Sequence, residues 1–405
     1  MKPSLKQIFC LTLKLLQKVL WSGARRKIIV LCAVGVMYLL ARRERLRRVE
    51  VLHGRSVENL KILQVLEKCI KEYSPTLYLP STFLQMFINS GFEECHLRFS
   101  REEIQLKDGE VISVDWTPRN YRQLDSKTPI IVVVGGLTTD SRASYVRTFC
   151  DYAAERGYRT CIYNRRGHGR MKFSKPIPDP VSWNKVEDMD QTLEQIHKQF
   201  PEAPVFIAGM SMGANFVQLY TGSKGRDKQP VNIRAIGCIS SPYCLFKTAI
   251  YINSNFIIQK AILWEMRRSV RERIEDPNLA AALAHRGVDL SLIWNAKHTD
   301  EINSNYCIKM AGIPSLEAYK QSSSSYDVVR YIPVPALCIN SADDDVIPLN
   351  SIPREGILAN PNCIQLIVQG GGHLEYFSTW KRRRWAYDTV LDYFDYIQTR
   401  SAHQP

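Results

Sequence analysis

The stretch that decides the fold runs from Pro204 to Gly222: Pro-Val-Phe-Ile-Ala-Gly-Met-Ser-Met-Gly-Ala-Asn-Phe-Val-Gln-Leu-Tyr-Thr-Gly. Its first residues form an apolar run typical of a strand, and its last residues place apolar groups at helical spacing. Gly-x-Ser-x-Gly over 209–213 therefore lies where a buried strand turns into a helix, which is the setting of a nucleophile elbow. So tight a turn favours glycine at its flanks and holds Ser211 with its hydroxyl pointing out of the sheet.

The backbone of this turn also supplies hydrogen-bond donors. The N–H groups of Ser211 and Met212 lie at the predicted start of the helix, where unpaired donors and the helix dipole favour negative charge. In acyl transfer, such donors bind the oxyanion that develops on the substrate. The motif alone is weak evidence, so the interpretation depends on partners later in the chain.

The charge of the chain is concentrated at one end. The 405 residues carry a formal net charge of +14, and residues 1–55 contain 13 of the basic and 2 of the acidic side chains, which leaves +3 for the rest. Hydrophobic and charged contents of 45% and 23% are those of an ordinary globular protein. The body is therefore nearly neutral, and we expect no nucleic-acid partner.

The cysteines do not indicate a metal or disulfide framework. There are 11 of them, an odd number, scattered without a Cys-x-x-Cys pair. This pattern argues against a disulfide-stapled module and against a zinc ribbon. We expect neither a metal nor a cofactor, and we find no P-loop or complete Gly-x-Gly-x-x-Gly for a nucleotide.

The N-terminal basic segment contains a candidate membrane anchor. Residues 28–41 are apolar and uncharged between the basic clusters 25–27 and 42–45, and Ile8 to Trp21 reads as an interfacial amphipathic helix. As a helix the apolar run spans about 21 Å, against a hydrocarbon core of about 30 Å. It predicts single-pass or monotopic attachment, on an endomembrane such as the endoplasmic reticulum. A buried N-terminal helix and a cleaved signal peptide are the alternatives.

From residue 104 onward, strand and helix patterns alternate. Two alternating strands flank Asp108-Gly109, an apolar strand covers Ile130 to Val134, and helices and strands then follow in turn to Ile239. This order predicts a mostly parallel sheet with helices on both faces, the α/β-hydrolase fold. Residues 244–325 have a helical pattern and no strand signal, which is typical of a lid inserted over a pocket.

The predicted divisions are a basic membrane-anchor segment over 1–55, a helix and extended arm over 56–103, a first core part over 104–243, a helical lid over 244–325 and a second core part over 326–400.

Four predicted strand ends carry residues suited to catalysis, and in open parallel sheets sites form at these ends. They are Gly136-Leu137, Ser211, the run Asp343 to Asp345, and His373, in the chain order nucleophile, acid, histidine. We expect Ser211 to attack an acyl carbon and His373 to accept and return the proton. An aspartate would orient His373, and the N–H groups of Leu137 and Met212 would bind the oxyanion.

The sequence resembles the α/β-hydrolase-domain proteins of the branch containing types 1, 2, 3 and 15, membrane-anchored serine hydrolases that act on lipid esters. The resemblance covers roughly residues 75–395, and its most specific landmarks are Gly209 to Gly213, Asn340-Ser-Ala-Asp-Asp and Gly371-Gly-His-Leu, in this order. Further landmarks are Tyr73-Ser-Pro-Thr-Leu-Tyr, Asp108-Gly109 with Asp115-Trp116, Gly136-Leu137-Thr138, Tyr145-Val-Arg and Asn164-Arg-Arg-Gly. The resemblance implies the triad Ser211, Asp344 and His373, with Asp344 preferred to Asp343 because the family's acid precedes a proline, here Pro348, by four residues.

The chain departs from this family at three places. The family usually has Pro-Gly-Leu-Thr-Gly at the oxyanion loop, where this chain has Gly135-Gly-Leu-Thr-Thr139. Ala214 follows the elbow where a second glycine is usual, and Glu375 stands where the family commonly has glycine, a change that we expect to alter the pocket rim. The resemblance therefore implies a divergent member.

Several features have plainer interpretations. Asp343 to Asp345 could be a solvated turn or a metal site, His168 is more typical of a loop-shaping residue than of a catalyst, and Lys381 to Arg384 reads as a solvated face or a contact to anionic lipid.

For the whole chain we expect a membrane-attached serine hydrolase with a lipid-ester substrate. A catalytically weak or inactive lipid-binding scaffold with a hydrolase fold and an acyltransferase using the same acyl-enzyme are the alternatives, and the oligomeric state stays open.

Overall fold

A computed structural model describes residues 48–76, 97–175, 183–378 and 383–401, with residues 32, 33, 35, 37 and 85 in addition. Nine strands in these ranges form one sheet: β1 Glu50–His53, β2 Ser100–Gln105, β3 Val111–Thr117, β4 Ile130–Val134, β5 Arg159–Asn164, β6 Val205–Met210, β7 Ala235–Ile239, β8 Ala336–Ser341 and β9 Cys363–Val368. Two short strands, β10 Phe377–Ser378 and β11 Arg383–Arg384, pair separately.

The helices that accompany the sheet are α1 Val57–Glu72, α2 Ser144–Glu155, α3 Glu187–Gln199, α4 Met212–Arg226, α12 Arg354–Ala359 and α13 Trp385–Ser401. Between β7 and β8 the regular elements of the described chain are all helical, and the α-helices are α5 Leu245–Ser254, α6 Phe256–Arg271, α7 Pro277–His285, α8 Leu290–Asn295, α9 Thr299–Ile302, α10 Ile308–Ala311 and α11 Leu316–Ser322.

The centre of the sheet is parallel and its edges are antiparallel. The strand order is β1-β9-β8-β7-β6-β4-β5-β3-β2, with parallel pairing from β9 to β5 and antiparallel pairing for β1 with β9, β5 with β3, and β3 with β2. Strands of the parallel part are buried over their whole length because helices cover both faces. The α/β-hydrolase architecture predicted from the sequence is confirmed.

Successive side chains of β4 enter different cores. Ile130, Val132 and Val134 belong to the apolar cluster under α3, α4 and α12, whereas Ile131 and Val133 belong to the cluster under α1, α2 and α13. This alternation follows from the pleat of a strand, in which neighbouring residues point to opposite faces. Two separate cores therefore hold the central strands fixed, and the carboxyl ends of these strands are a rigid base for a site.

The strand β1 was not expected from the sequence. Residues 50–53 fall in the predicted anchor segment 1–55, yet they pair antiparallel with β9 and form one edge of the sheet. Arg354 of α12 also pairs with Glu50. The part of 1–55 that could attach the protein to a membrane therefore ends before Glu50.

Among the described residues, no helix combines the length and the apolar character that crossing a bilayer requires. Most of the predicted membrane segment, residues 28–41, lies outside the described part of the chain, which includes only its residues 32, 33, 35 and 37. The amphipathic stretch from Ile8 to Trp21 lies outside it entirely.

The helical insertion packs on itself and on the loop after β8. Leu263 and Ile293 belong to one small apolar cluster within the insertion, and Leu279 belongs to a second. A third cluster joins Ile252 and Ile258 of the insertion to Val346 and Ile347. The insertion thus covers the end of β8, where the predicted acidic residue of the triad lies.

Candidate active site

The elbow between β6 and α4 has the backbone that the sequence pattern requires. Ser211 adopts φ 54° and ψ −125°, a strained region for a residue with a side chain. A Cβ built on Gly209 would lie 2.6 Å from Ala214 Cα, and one built on Gly213 would overlap the carbonyl oxygens of Val134 and Gly135. Both glycines are therefore needed for the turn to close against the sheet.

One predicted oxyanion donor is already occupied. The N–H of Ser211 donates to Ile239 O at 2.8 Å, which ties the elbow to the end of β7. Met212 is the first residue of α4, so its N–H belongs to the helix turn that lacks intrahelical acceptors. Of the two donors expected at the elbow, only that of Met212 remains a candidate.

The structure brings three predicted side chains into one hydrogen-bonded line. His373 Nε2 lies 2.9 Å from Ser211 Oγ, and His373 Nδ1 lies 2.8 Å from Asp344 Oδ2. Asp344 is 2% exposed, and its other oxygen accepts from the N–H groups of Val346 and Ile347 at 2.7 and 2.9 Å. The carboxylate is thus fixed by the backbone and faces the ring that it would orient.

The neighbouring aspartate has a different environment. Asp343 Oδ1 accepts from the N–H groups of Gly370 and Gly371 at 2.9 and 3.2 Å and from the Ser341 hydroxyl. These bonds hold the glycine loop that leads to His373. The two adjacent carboxylates therefore have different roles. Asp344 contacts the imidazole, and Asp343 contacts the loop that carries it.

The Asp344 carboxylate controls the charge state of His373. Burial by itself would lower the pKa of the imidazole, but the charge of Asp344 and the hydrogen bond to it outweigh this effect, so the pKa of His373 is raised. The protonated ring is the form that exists after proton transfer from serine. The site therefore stabilises the ion pair that the reaction would create.

Glu375, which the sequence suggested would alter the pocket rim, is buried beside His373. It is 1% exposed, and its Oε2 accepts from the N–H groups of His373 and Leu374, both at 3.0 Å. Burial raises the pKa of this carboxyl, partly offset by the charges of His373 and Arg384. Where the family commonly has glycine, this chain has a carboxyl group that holds the backbone of the histidine loop.

The basic run 381–384 is not simply a solvated face. Residues 381 and 382 lie outside the described chain, but Arg384 is fully buried, bonded to the Tyr387 hydroxyl at 2.8 Å and to Leu374 O at 3.3 Å. The interpretation as a surface charge run is therefore wrong for Arg384, which packs behind the histidine loop.

The loop after β4 is held close to the nucleophile. A Cβ built on Gly136 would lie 3.3 Å from Ser211 Cβ, so the backbone approaches the serine as an oxyanion loop must. The Tyr145 hydroxyl accepts from Gly136 N–H at 2.8 Å and also contacts Thr139 Oγ1 at 2.8 Å. Tyr145 thereby fixes the peptide just before Leu137, the residue whose N–H is predicted to bind the oxyanion.

The two departures from the family at positions 135 and 139 compensate each other, because the side chain of Thr139 fills the space beside Gly135. A Cβ on Gly135 would lie 2.6 Å from Thr139 Oγ1, and the Thr139 hydroxyl donates to Gly136 O at 3.2 Å. The chain lacks a side chain where the family has proline and gains one where the family has glycine. The hydrogen bond from the Thr139 hydroxyl therefore restrains the backbone of this loop, as the ring of a proline at 135 would.

A cavity of about 120 Å³ opens beside Ser211. We call it the Ser211 cavity. It is bounded by the elbow, His373, Leu137 and Met212, and by mainly apolar residues from the insertion and from the loop after β8: Leu245, Ala249, Ile252, Ile262, Met266, Val346 and Ile347. The predicted site residues thus border one mostly apolar space.

Three residues support the candidate site although the sequence assigns none of them a role in it. Thr139 and Tyr145 hold the predicted oxyanion loop. Ser240, at φ 54°, donates its hydroxyl to His373 O and contacts the Tyr376 hydroxyl at 2.7 Å. Tyr145 stands in a landmark of the family resemblance, which was a usable signal. Ser240 gave none, because a serine after an apolar strand has no distinctive pattern.

His168 lies outside the triad. Its Nε2 is 3.1 Å from an Arg165 nitrogen, and its Nδ1 is 3.0 Å from Arg166 O. Burial and the charges of Arg165 and Arg273 hold the pKa of His168 well below its usual range. In the part of the chain that the structure describes, no group of three or more His, Cys, Asp or Glu side chains could hold a metal ion.

The family model described as serine aminopeptidase, S33, matches residues 125–351, more than half of the chain. The chain belongs to this family. Human phospholipase ABHD3 is 26% identical over 340 residues, which cover 82% of this chain and 80% of the human protein. Zebrafish monoacylglycerol lipase ABHD2 is 25% identical over 293 residues, covering 68% and 66%.

These matches confirm the predicted class, a serine hydrolase, and the predicted position as a divergent α/β-hydrolase-domain member. Yeast monoacylglycerol lipase is 25% identical over 270 residues, covering 64% of this chain and 58% of its own. Among solved structures, the Pyrococcus furiosus esterase Pf2001 aligns with a TM-score of 0.48 and 15% identity over 74% of this chain and 90% of the esterase.

Proposed function

We propose that this protein is a membrane-attached serine hydrolase that cleaves a carboxylic ester of a lipid through an acyl-enzyme. The observation that carries the proposal is the line from Asp344 through His373 to Ser211, ending in an apolar cavity. The related proteins named phospholipase ABHD3 and monoacylglycerol lipase support a lipid ester as the substrate.

The geometry supports a two-step reaction. Ser211 Oγ attacks the ester carbonyl carbon while His373 Nε2 takes its proton, and Asp344 stabilises the resulting imidazolium. The oxyanion lies against the N–H groups of Leu137 and Met212. The intermediate collapses as His373 returns the proton to the leaving alcohol, and water then repeats the sequence to release the fatty acid.

The Ser211 cavity suits an acyl chain better than a peptide. Its apolar residues offer the surface that a hydrocarbon chain buries. An aminopeptidase must also neutralise the free ammonium group of its substrate. Among the described residues that line this cavity there is no carboxylate, and its one lysine, Lys320, is already paired with Asp300 at 2.7 Å. The lining therefore favours a lipid ester over a peptide with a free N-terminus.

Two features support attachment to a membrane. The first is the apolar run 28–41 between basic clusters, whose shortness fits a thinner bilayer such as that of the endoplasmic reticulum. The second is a set of exposed large apolar side chains on α5 and α6, namely Ile250, Phe256, Ile257 and Trp264, which are 56–72% exposed. Such residues next to a substrate cavity are suited to contact a lipid surface.

Labelling by a fluorophosphonate probe tests the hydrolase directly, because the probe traps an activated serine. We expect wild type to label and Ser211→Ala to remain unlabelled, while the exposed control Ser126→Ala labels like wild type. A folded wild type that does not label would favour the inactive scaffold. The altered oxyanion loop motivates that alternative, and the hydrogen bond from Thr139 to Gly136 O counts against it.

Deleting residues 1–47 tests the attachment without removing β1. The truncated protein should leave the membrane fraction and keep its activity on a soluble ester. If it still sediments with membranes after a high-salt wash, the apolar residues of α5 and α6 become the main attachment. Product analysis with a competing alcohol acceptor separates hydrolysis from acyl transfer, because both begin from the same acyl-enzyme.

A further inference from the structure

A second cavity adjoins the Ser211 cavity and contains a cation that has no acidic partner among the described residues. Arg165 is partly buried after β5, its guanidinium stacks 3.5 Å above the Trp183 ring, and one nitrogen donates to Leu137 O at 3.0 Å. The same group lies 3.1 Å from His168 Nε2. Desolvation lowers the pKa of Arg165 to about 10, because few groups around the guanidinium compensate its charge.

Arg273 supplies a second cation to the same space. It follows α6 and donates to the backbone carbonyl and the hydroxyl of Ser269, at 2.7 and 2.8 Å. Within the described part of the chain, the hydrogen bonds of Arg165 and Arg273 go to carbonyl and hydroxyl oxygens or to the His168 ring, and none goes to a carboxylate. Both guanidinium groups therefore retain unneutralised charge.

Three carboxylates near this second cavity form ion pairs with other arginines. Asp140 binds Arg142 at 2.8 Å, and Glu272 binds Arg142 at 3.0 Å and Arg268 at 2.6 Å. Glu265 binds Arg268 at 2.7 Å. These three described carboxylates are thus already paired, and none of them neutralises Arg165 or Arg273.

This second space, the Arg165 cavity, has a volume of about 70 Å³ and is lined by both arginines. It shares Leu137, Trp183, Met266 and Tyr319 with the Ser211 cavity. On its other side it shares His168 and Arg273 with an open depression of about 430 Å³. The Arg165 cavity therefore lies directly beside the Ser211 cavity on one side and beside the open depression on the other.

Elementary energetics indicates what the cavity binds. A partly buried cation without a counterion is costly, and the cost falls when an anion enters. A guanidinium matches the oxygens of a phosphate with paired hydrogen bonds, and two such groups facing one space favour a compact oxyanion. A neutral glycerol head group would leave both charges uncompensated.

We propose that the Arg165 cavity is the subsite for the phosphate of the lipid head group, so that the substrate is a phosphate-bearing ester and not a neutral acylglycerol. The proposal rests on the lipid-ester hydrolysis proposed above. The acyl chain lies in the apolar Ser211 cavity, and the leaving half of the substrate extends past Leu137 towards Arg165 and Arg273.

Two esters that differ only in the phosphate test this subsite: 1-octanoyl-glycerol 3-phosphate and 1-octanoyl-glycerol, both used as monomers with the full-length protein. We expect wild type to prefer the phosphate ester in kcat/KM. In Arg273→Gln the ratio of the two kcat/KM values should fall at least about tenfold, mainly through KM, because a hydrogen bond to a charged group is lost. Arg273→Lys should retain part of the preference.

Arg271→Gln is the matched control. It removes the same charge two residues earlier, from an exposed side chain that packs near Trp294 and does not line either cavity. Its selectivity ratio should equal that of wild type. An equal loss in Arg271→Gln, or an unchanged ratio in Arg273→Gln, overturns the subsite.

Calorimetric titration of the phosphate ester into Ser211→Ala makes the test independent of turnover. Ser211→Ala should bind it at least about tenfold more tightly than Ser211→Ala/Arg273→Gln does. If wild type hydrolyses neither ester, the hydrolase proposal fails and this titration still decides the subsite. A different outcome would indicate a site for free phosphate. In that case inorganic phosphate alters turnover of the neutral ester by wild type but not by Arg273→Gln, while both proteins show the same ratio of kcat/KM values for the two esters. The head-group proposal would then be wrong.

Discussion

The hydroxyl of Thr139 occupies the space into which a side chain at Gly135 would extend. A Cβ on Gly135 would lie 2.6 Å from Thr139 Oγ1, closer than two such atoms can approach. Thr139 uses this position to donate to Gly136 O and to contact the Tyr145 hydroxyl. The predicted oxyanion loop of this chain is therefore stabilised by a hydrogen bond from a side chain.

This relationship predicts that substitutions at the two positions are coupled. Gly135→Ala should lower kcat/KM about tenfold, because the new methyl displaces Thr139 and the loop beside Ser211. In a Thr139→Gly background the same Ala should cost little, since the space is then empty. Rates of fluorophosphonate labelling for the four proteins give the coupling. If the losses at 135 and 139 simply add, the two side chains do not compete for this space.

The two aspartates after β8 give a second prediction. Asp344→Asn should reduce turnover about 10⁴-fold, as loss of the acid does in comparable triads, because Asn favours the wrong tautomer of His373. Asp343→Asn should cost about tenfold or less, since an amide oxygen can still accept from Gly370 and Gly371. Steady-state kinetics on a soluble ester measures both. The reverse ranking would assign the orienting role to Asp343.

Much of this site was predictable because it depends on strand ends. The elbow pattern located Ser211, and the order of the strands placed an acidic residue and His373 at the same edge of the sheet. Local sequence is sufficient here, since the carboxyl ends of neighbouring parallel strands must meet. Choosing Asp344 over Asp343 required the family resemblance, because two adjacent carboxylates cannot be told apart by periodicity.

Other features depend on contacts that no local pattern encodes. The strand β1 has only four residues and lies beside a basic segment, so its pairing with β9, more than 300 residues later, gave no signal. Arg384 reads as a surface charge in the run 381–384 until the packing behind the histidine loop is known. The close approach of the Thr139 hydroxyl to Gly135 depends on a turn that brings the two positions together.

The raised pKa of His373 predicts the pH dependence of the reaction. Below that pKa the imidazolium cannot accept the proton of Ser211, so kcat/KM should rise with pH and level off above it. Because the Asp344 charge raises the pKa, the midpoint of this limb should lie above the ordinary histidine value of about 6.5. Asp344→Asn should move the midpoint to lower pH.

The control for this pH profile is Asp343→Asn. Asp343 binds the glycine loop and does not contact the imidazole, so its substitution should leave the midpoint where wild type has it. The pH profile of the labelling rate is the measurement, since it does not require turnover. An equal displacement of the midpoint in both variants would mean that the Asp344 charge is not what raises the pKa of His373.

The buried carboxyl of Glu375 predicts an effect on stability. Its pKa is raised by burial, so the folded protein favours the protonated form, and stability falls as pH rises from the unfolded-state pKa through the higher folded-state pKa. Glu375→Gln is always neutral and can still accept from His373 and Leu374 N–H. Its Tm should exceed that of wild type at neutral pH, and the difference should vanish in acid. The exposed control Glu103→Gln should show no such crossover. A lower Tm for Glu375→Gln at every pH would mean that the hydrogen bonds of the carboxylate outweigh its desolvation.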